Sequence, residues 1–242
     1  MDASLLPEAE VTGMPFFKHL SERKSRLKEI ETGQTLETAS WVDRIVDTPL
    51  AEADYFIIDI ETSGFSATTD KVLSLAAGCA KGNSLPCQID LYDVVYHAKA
   101  DDIPEHIWEL TGLTAEVLRQ GKEWKELLFE ALKMAANHVW IAHHARHEVS
   151  FLQRHSRLLW KTSIRPIVID TAVVAQSFLR LPSPPTLDFV CQWLEVPVEN
   201  RHQADGDVLM TAEVWRRQIP LCQAQGLQTV GDVLEWSMIH AG

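Results

Sequence analysis

Two acidic side chains, one residue apart, follow the apolar run at residues 55–58. They are Asp59 and Glu61. Residues i and i+2 of a β-strand point to the same face of a sheet, so this spacing lets both carboxylates converge on one point. An isolated acidic pair at a strand end is more often turn chemistry or surface charge. Together with further acids in the same place, the pair would form half of a metal site.

Two later motifs add acidic residues and a histidine. Glu148 lies in Ala-His-His-Ala-Arg-His-Glu-Val-Ser-Phe-Leu, and His202 and Asp207 lie in His-Gln-Ala-Asp-Gly-Asp. One like-charge pair about 4 Å apart costs on the order of 4 kcal/mol at an effective dielectric near 20. Four clustered carboxylates therefore need protons or cations. Two Mg²⁺ or Mn²⁺ ions would meet this need, and such a pair can assist phosphodiester hydrolysis.

His202 is the candidate general base for this chemistry. It precedes Asp207 by five residues, which on one continuous helix would place the two side chains about 140° apart around the axis. We therefore expect His202 to lie on a loop before the helix, free to reach the site. Histidine is the side chain that most often accepts a proton in general base catalysis.

Other interpretations of these residues are weaker. Asp205 competes with Asp207, but the His-x-Ala-x-x-Asp spacing favours Asp207, and Asp205 is expected to be solvated or to cap a helix. The pair His143 and His144 suggests zinc, yet adjacent residues of a strand point to opposite faces, and oxygen-rich partners suit Mg²⁺ better. Asp170 is expected to start a helix as a structural residue.

The hydrophobic periodicity predicts an α/β domain with an appendage. Residues 16–30 and 41–46 are predicted to be helical and to belong to an N-terminal appendage over residues 1–50. Three strands in succession indicate an antiparallel meander, and the helix–strand alternation that follows implies a mixed five-stranded sheet flanked by helices. The predicted strands are 55–60, 72–80, 89–97, 139–142 and 167–169. Five helices are predicted after residue 120. The first begins at residue 124, and the others cover residues 148–155, 171–179, 187–194 and 207–218.

Composition limits the class of protein. The chain has 242 residues and 46% hydrophobic content, enough for one sizeable core. The net charge of −12 argues against broad binding to a polyanion, so a nucleic-acid role needs local attraction, such as that of bound cations. Four widely spaced cysteines without a Cys-x-x-Cys pair argue against a disulfide framework or a zinc knuckle. With no secretory signal and no membrane span, the protein is expected in the cytoplasm and not in a membrane.

The motifs together resemble the DEDDh group of 3′-to-5′ exonucleases, which includes proofreading subunits and domains of bacterial replicative polymerases. The resemblance covers about residues 54–218 and keeps the order of the family's motifs. The matching segments are Asp59-Ile-Glu61-Thr62-Ser63-Gly64, Glu-Leu-Thr111-Gly112-Leu-Thr114, the segment around Glu148, Ile-Asp170-Thr171, and His202-Gln-Ala204-Asp-Gly-Asp207.

The resemblance implies a ribonuclease H-like fold and assigns roles to residues. Asp59, Glu61 and Asp207 would hold one Mg²⁺ or Mn²⁺ ion, Asp59 would bridge to a second, and Glu148 would act on the second, often through water. His202 would be the general base. The stretch Thr62, Ser63 and Gly64 would contact the terminal nucleotide.

On this basis the chain is predicted to contain an N-terminal appendage (1–50), an exonuclease domain (51–220) and a C-terminal helical tail (221–242). Its substrate would be the 3′ end of single-stranded DNA or RNA, and its expected protein partner is a DNA polymerase or a repair protein.

The second motif departs from the family pattern. Glu148 stands where Asp is usual, His144 where Asn is common, and His147 where an aromatic residue normally packs. Glu148 is nevertheless the only carboxylate between Glu130 and Asp170, so no neighbouring Asp can replace it. Two hypotheses result: an active exonuclease, or a catalytically weakened module of the same fold that binds nucleic acid or a protein partner.

Overall fold

The computed structural model describes residues 44–83 and 87–240. The helix predicted at 16–30 lies outside these residues, as does the beginning of the one predicted at 41–46, of which residues 44–46 are helical.

The five predicted strands form one mixed sheet, as expected. The strand order is β3-β2-β1-β4-β5, with antiparallel pairing among the first three strands in sequence and parallel pairing of β1 with β4 and of β4 with β5. The third strand is shorter than the predicted 89–97, because Val95 already leaves the ladder and bridges to Lys122. The strands are β1 (Asp54–Thr62), β2 (Val72–Lys81), β3 (Leu91–Val94), β4 (Val139–Ala142) and β5 (Val168–Asp170).

Eight labelled helices surround this sheet in the described part of the chain. The prediction missed α1 and α2, which are short and contribute few buried residues. It also ended the helix over 207–218 too early, since α7 continues through Pro220. Within the described residues, no helix is long and apolar enough to cross a membrane. The helices are α1 (Glu105–Thr111), α2 (Ala115–Arg119), α3 (Trp124–Met134), α4 (Arg146–Trp160), α5 (Thr171–Leu179), α6 (Leu187–Trp193), α7 (Ala204–Ala224) and α8 (Val230–His240).

The central strand β1 is buried on both faces, because its alternate side chains enter two different cores. Tyr55 and Ile57 pack with residues of α7, and Tyr55 meets Trp215 edge to face at 5.7 Å between ring centroids. Phe56 and Ile58 pack on the other face against α3 and α4. Helices thus cover both faces of the sheet, the arrangement that buried parallel strands require.

The last helix joins the first of these cores. Val230 and Val233 of α8 are fully buried in the cluster that contains Tyr55 and Ile57. Trp236 lies 4.7 Å from the ring of Phe178 in α5. The division of the chain at residues 50 and 220 stays a prediction.

We expect Val233→Asp to destabilise the protein by several kcal/mol, because an unpaired carboxylate would be placed in an apolar core. Met238→Asp is the matched control on the same helix, since that side chain is 68% exposed. Thermal unfolding followed by circular dichroism measures both variants. Equal melting temperatures for the two would contradict the packing of α8 described above.

Candidate active site

Asp59 and Glu61 lie on β1 beyond the last residue of that strand that pairs with the parallel strand β4. The last paired residues of β1 and β4 are Ile57 and Ile141, so the two acids extend over the open carboxyl edge of the sheet. They share the face of Tyr55 and Ile57, as the two-residue period requires. A register irregularity after Glu61 then turns the chain away from the ladder.

Helix α7 brings Asp207 to the same point. Its first turn packs on the sheet through Ala204 and Val208, in the cluster that contains Ile57. Asp207 precedes Val208 and lies at the end of β1. Asp59, Glu61 and Asp207 each place one carboxylate oxygen within 4.8 Å of the others. Three predicted ligands therefore converge, and the rival Asp205 is outside the group, its carboxylate accepting a hydrogen bond from the Gly206 N–H at 3.0 Å.

Glu148 reaches the cleft from the opposite core, in the first turn of α4. The start of α4 is fixed by Asp170 at the end of β5, whose carboxylate accepts hydrogen bonds from the backbone N–H groups of His144 (3.0 Å) and Ala145 (2.9 Å). The same carboxylate accepts from Ala172 N–H at 3.0 Å and caps α5. Asp170 is thus a structural residue, as expected, and it positions the helix that carries Glu148.

The pKa values of three carboxyl groups in the cleft lie above their ordinary range. Desolvation, followed by the charges of Glu148, Asp207 and Glu61, raises the pKa of Asp59 well above its usual value. Desolvation and the charge of Asp207 raise the pKa of Glu61 to about 7. Burial and the charges of Asp170 and Glu61 likewise raise the pKa of Glu148 well above normal. Desolvation, followed by repulsion among these side chains, therefore disfavours their charged forms in the folded protein.

Arg201 is a site residue that the sequence analysis missed. Its guanidinium donates a hydrogen bond to Asp207 Oδ2 and two to Asp188 on α6, at 2.8 and 3.2 Å. It thereby brings a positive charge beside the acidic cluster and ties α6 to the first turn of α7. The sequence signal that could have identified Arg201 was its position directly before the His-x-Ala-x-x-Asp motif.

His202 lies on the loop before α7, as expected, and lines the cleft together with the four acids. Its backbone is left-handed, with φ 60°, an uncommon conformation for a non-glycine residue that here reverses the chain. The reversal brings Asn200 against Gly206, where an added Cβ would collide with the Asn200 carbonyl oxygen. The cleft has a volume of about 870 Å³.

The predicted nucleotide-contact segment forms a fixed loop at the end of β1. Thr62 Oγ1 donates to the Gly64 carbonyl at 2.7 Å and lies 3.2 Å from His147 Nε2. Ser63 Oγ accepts from the Lys71 N–H at 2.9 Å. The next side chain, Phe65, is 94% exposed and lines the cleft. The loop thus presents a hydrogen-bonded backbone and one uncovered aromatic ring beside the acids.

The alternative of a histidine zinc site finds no support in the contacts of His143. One ring nitrogen lies 2.9 Å from Thr171 Oγ1 and the other 3.0 Å from the Pro185 carbonyl oxygen. Burial, followed by the charge of His144, lowers the pKa of His143 to about 3. A neutral ring with both nitrogens engaged is a structural residue.

The acidic cluster fits divalent cations. Glu148 Oε2 and Asp207 Oδ1 are buried without a hydrogen-bond partner among the described residues. An unpaired buried carboxylate oxygen is costly, whereas a donor set made of carboxylate oxygens suits hard cations such as Mg²⁺ or Mn²⁺. Asp59, Glu61 and Asp207 would hold one ion, and Glu148 is placed to contribute to a second.

The raised carboxyl pKa values predict that the metal-free protein loses stability as pH rises from 6.5 to 8. The folded state holds protons in this range that the unfolded chain has released, so the free energy of unfolding falls with pH, by about 1.4 kcal/mol per unit of pKa difference. Buried His143 acts in the opposite sense only below its ordinary value of 6.5.

Melting temperatures in EDTA measure this effect. Asp59→Asn should flatten the decline and raise the melting temperature at pH 8. Asp54→Asn, an exposed residue at the other end of β1, is the control and should follow the wild-type curve. A wild-type melting temperature that rises over this range would contradict the prediction.

Arg201 competes with a cation for Asp207, so we expect Arg201→Gln to bind Mn²⁺ about tenfold more tightly at pH 8, the equivalent of about 1.4 kcal/mol. Isothermal titration calorimetry gives the affinity. Arg217→Gln is the matched control, because Arg217 pairs with Glu213 elsewhere on α7. Weaker Mn²⁺ binding by the Arg201 variant would show that the guanidinium supports the metal site instead.

The sequence is similar to an exonuclease family and to DNA polymerase III proteins. Residues 56–215 match the RNase T family model, whose description is "Exonuclease". A PolC-type DNA polymerase III of Clostridium perfringens is 30% identical over 66% of this chain, and a DNA polymerase III subunit epsilon-like protein of Rhodobacter capsulatus is 28% identical over 78%. This chain spans only 11% and 27% of those proteins.

Solved structures share the fold at low identity. Exonuclease I of E. coli in complex with a dT13 oligonucleotide has a TM-score of 0.58 and 14% identity to this chain. The match covers 72% of this chain and 43% of the exonuclease I chain. A 3′-exonuclease described with specific recognition of the histone mRNA stem-loop has a TM-score of 0.59 and 12% identity, covering 86% of each chain. These likenesses confirm the ribonuclease H-like architecture.

The family match covers well over half of the sequence and includes all five residues predicted for catalysis. Exonucleases of this kind use divalent metal ions, which agrees with the acidic cluster. The chain belongs to the RNase T family of exonucleases, and its acidic motifs are consistent with the DEDDh group.

Proposed function

We propose that this protein is a 3′-to-5′ exonuclease that hydrolyses the terminal phosphodiester bond of single-stranded or frayed nucleic acid, with DNA as the favoured substrate. The products would be nucleoside 5′-monophosphates. The observation that carries the proposal is the meeting of Asp59, Glu61, Asp207 and Glu148 with His202 in one cleft. Four carboxylates and one imidazole are the groups that metal-assisted phosphodiester hydrolysis needs.

In the proposed reaction, water attacks the terminal phosphorus and the bond to the 3′ oxygen of the preceding nucleotide breaks. His202 accepts the proton of the attacking water, and the leaving oxygen takes up a proton to become a 3′-hydroxyl. Asp59, Glu61, Asp207 and Glu148 would hold two Mg²⁺ or Mn²⁺ ions, which supply positive charge that stabilises the charge developing on the phosphoryl oxygens.

The loop after β1 would position the end of the strand. Its backbone is held by the Thr62 and Ser63 hydrogen bonds, so residues 62–64 can receive a terminal nucleotide without being ordered first. Phe65 offers an uncovered ring to a base, and stacking of a base on an aromatic side chain contributes about 1–3 kcal/mol. Phe65 therefore supports an unpaired end as the substrate.

A second hypothesis is a catalytically weakened module of the same fold that binds nucleic acid or a protein partner. Glu148 in place of the usual Asp motivates it. Under either hypothesis the proposed partner is a DNA polymerase or a repair protein, and the names of the DNA polymerase III relatives favour the polymerase.

Degradation of a 5′-labelled single-stranded oligonucleotide in Mn²⁺ tests the proposal. The wild type should produce a ladder of shortened labelled products, and Asp59→Ala should produce none. Asp54→Ala is the control on the same strand. Parallel reactions with single-stranded DNA, duplex DNA and RNA would identify the substrate class. No ladder from the wild-type protein on any of them would end the enzymatic hypothesis and favour the weakened module.

Glu148 has its own test. We expect Glu148→Asp to retain or raise the turnover number, because the shorter side chain restores the family's usual residue. Glu148→Ala should lower turnover at least a hundredfold while the protein stays folded. Single-turnover rates at saturating Mn²⁺ measure both variants. Normal cleavage by the alanine variant would show that this carboxylate takes no part in the reaction.

A further inference from the structure

A line of cations follows the outer face of α4. With about 100° of rotation per residue, Arg146, Arg154 and Arg157 fall within an arc of about 80°. Lys161, the C-cap residue directly after α4, continues this line. The buried side chains of α4, including Glu148, Phe151 and Leu152, lie on the opposite side. Arg146, Arg157 and Lys161 are exposed and Arg154 is half-buried. We call these four residues the basic stripe.

The basic stripe is unusual for this chain, whose net charge is −12. Between residues 131 and 169 the sequence has six Lys or Arg residues and one acid, Glu148. Elsewhere, cations such as Arg119, Lys122 and Arg216 pair with neighbouring acids. Within the described residues, the stripe forms no ion pair, and its only side-chain hydrogen bonds run from Arg157 to Ser163. The stripe thus keeps its charge available to a ligand.

The basic stripe begins in the cleft. Arg146 and Ser150, one turn apart on the same face of α4, both line it beside Glu148. From there the stripe leads away from the acids for about 22 Å, at a rise of 1.5 Å per residue. A polymer whose end lies among the carboxylates would meet Arg146 in the cleft and, from about 12 Å further along α4, the other three cations within about 10 Å of one another.

We propose that the basic stripe binds the phosphodiester backbone of the substrate strand on the 5′ side of the terminal nucleotide. This inference rests on the proposed function, which places the 3′ end in the cleft, and it adds the path of the remaining strand. Cations in a line contact phosphates without reading bases, so the stripe would give affinity for any sequence. It also explains how an acidic protein attracts a polyanion locally.

The test compares two substrates. One is a 5′-labelled single strand of about twenty nucleotides, and the other is the p-nitrophenyl ester of thymidine 5′-monophosphate, which is too short to reach past the cleft. The first variant is Arg154→Gln with Arg157→Gln. The second is Arg157→Gln with Lys161→Gln, in which both replaced side chains are exposed. Lys99→Gln with Arg180→Gln removes the same charge at exposed positions outside the cleft lining and is the control.

Both stripe variants should raise KM for the long strand about tenfold and leave kcat/KM for the ester unchanged. The slope of log KM against log salt concentration should fall by about 1.4, since each phosphate contact on a single strand contributes about 0.7. The control variant should match the wild type. If both stripe variants keep the KM and the salt dependence of the wild type, the inference is overturned, and an acidic protein becomes the expected ligand of the stripe.

A loss of kcat/KM for the ester equal to the loss for the long strand would also overturn the inference, because the stripe would then act on the cleft itself. A wild-type protein that cleaves neither substrate would instead overturn the proposed function.

Discussion

Repulsion among carboxylates is the constraint on which the rest of this structure depends. Asp59, Glu61 and Asp207 are held within 4.8 Å of one another, and Glu148 adds its charge from another helix. A fold can maintain such a cluster only if its supports are rigid and its charge is offset. Desolvation and this repulsion together raise the pKa values of the carboxyl groups, and the Arg201 contact offsets part of the negative charge.

The supports come from separate parts of the chain. Strand β1 is held between two cores, α7 is held by its packing on the sheet, and α4 is held at its start by Asp170. Each element brings one or two acids to the same edge. Because no two of these elements share a loop, the site exists only when the sheet and both helical layers are assembled.

Much of this arrangement could be predicted from local patterns. The two-residue period of β1 placed Asp59 and Glu61 on one face, and the spacing of His202 and Asp207 required a loop before α7. Arg201 could not be found this way, since its partners Asp188 and Asp207 lie on different helices and meet only through tertiary packing. The short helices α1 and α2 were missed because they have few buried residues to create a period.

The burial of β1 on both faces limits how the sequence can change. Shifting the strand by a single residue would exchange its two sets of side chains, turning Ile58 and Ile60 toward the catalytic edge and forcing Asp59 into the apolar layer beneath α4. Insertions and deletions within residues 55–61 should therefore be absent from functional descendants of this chain.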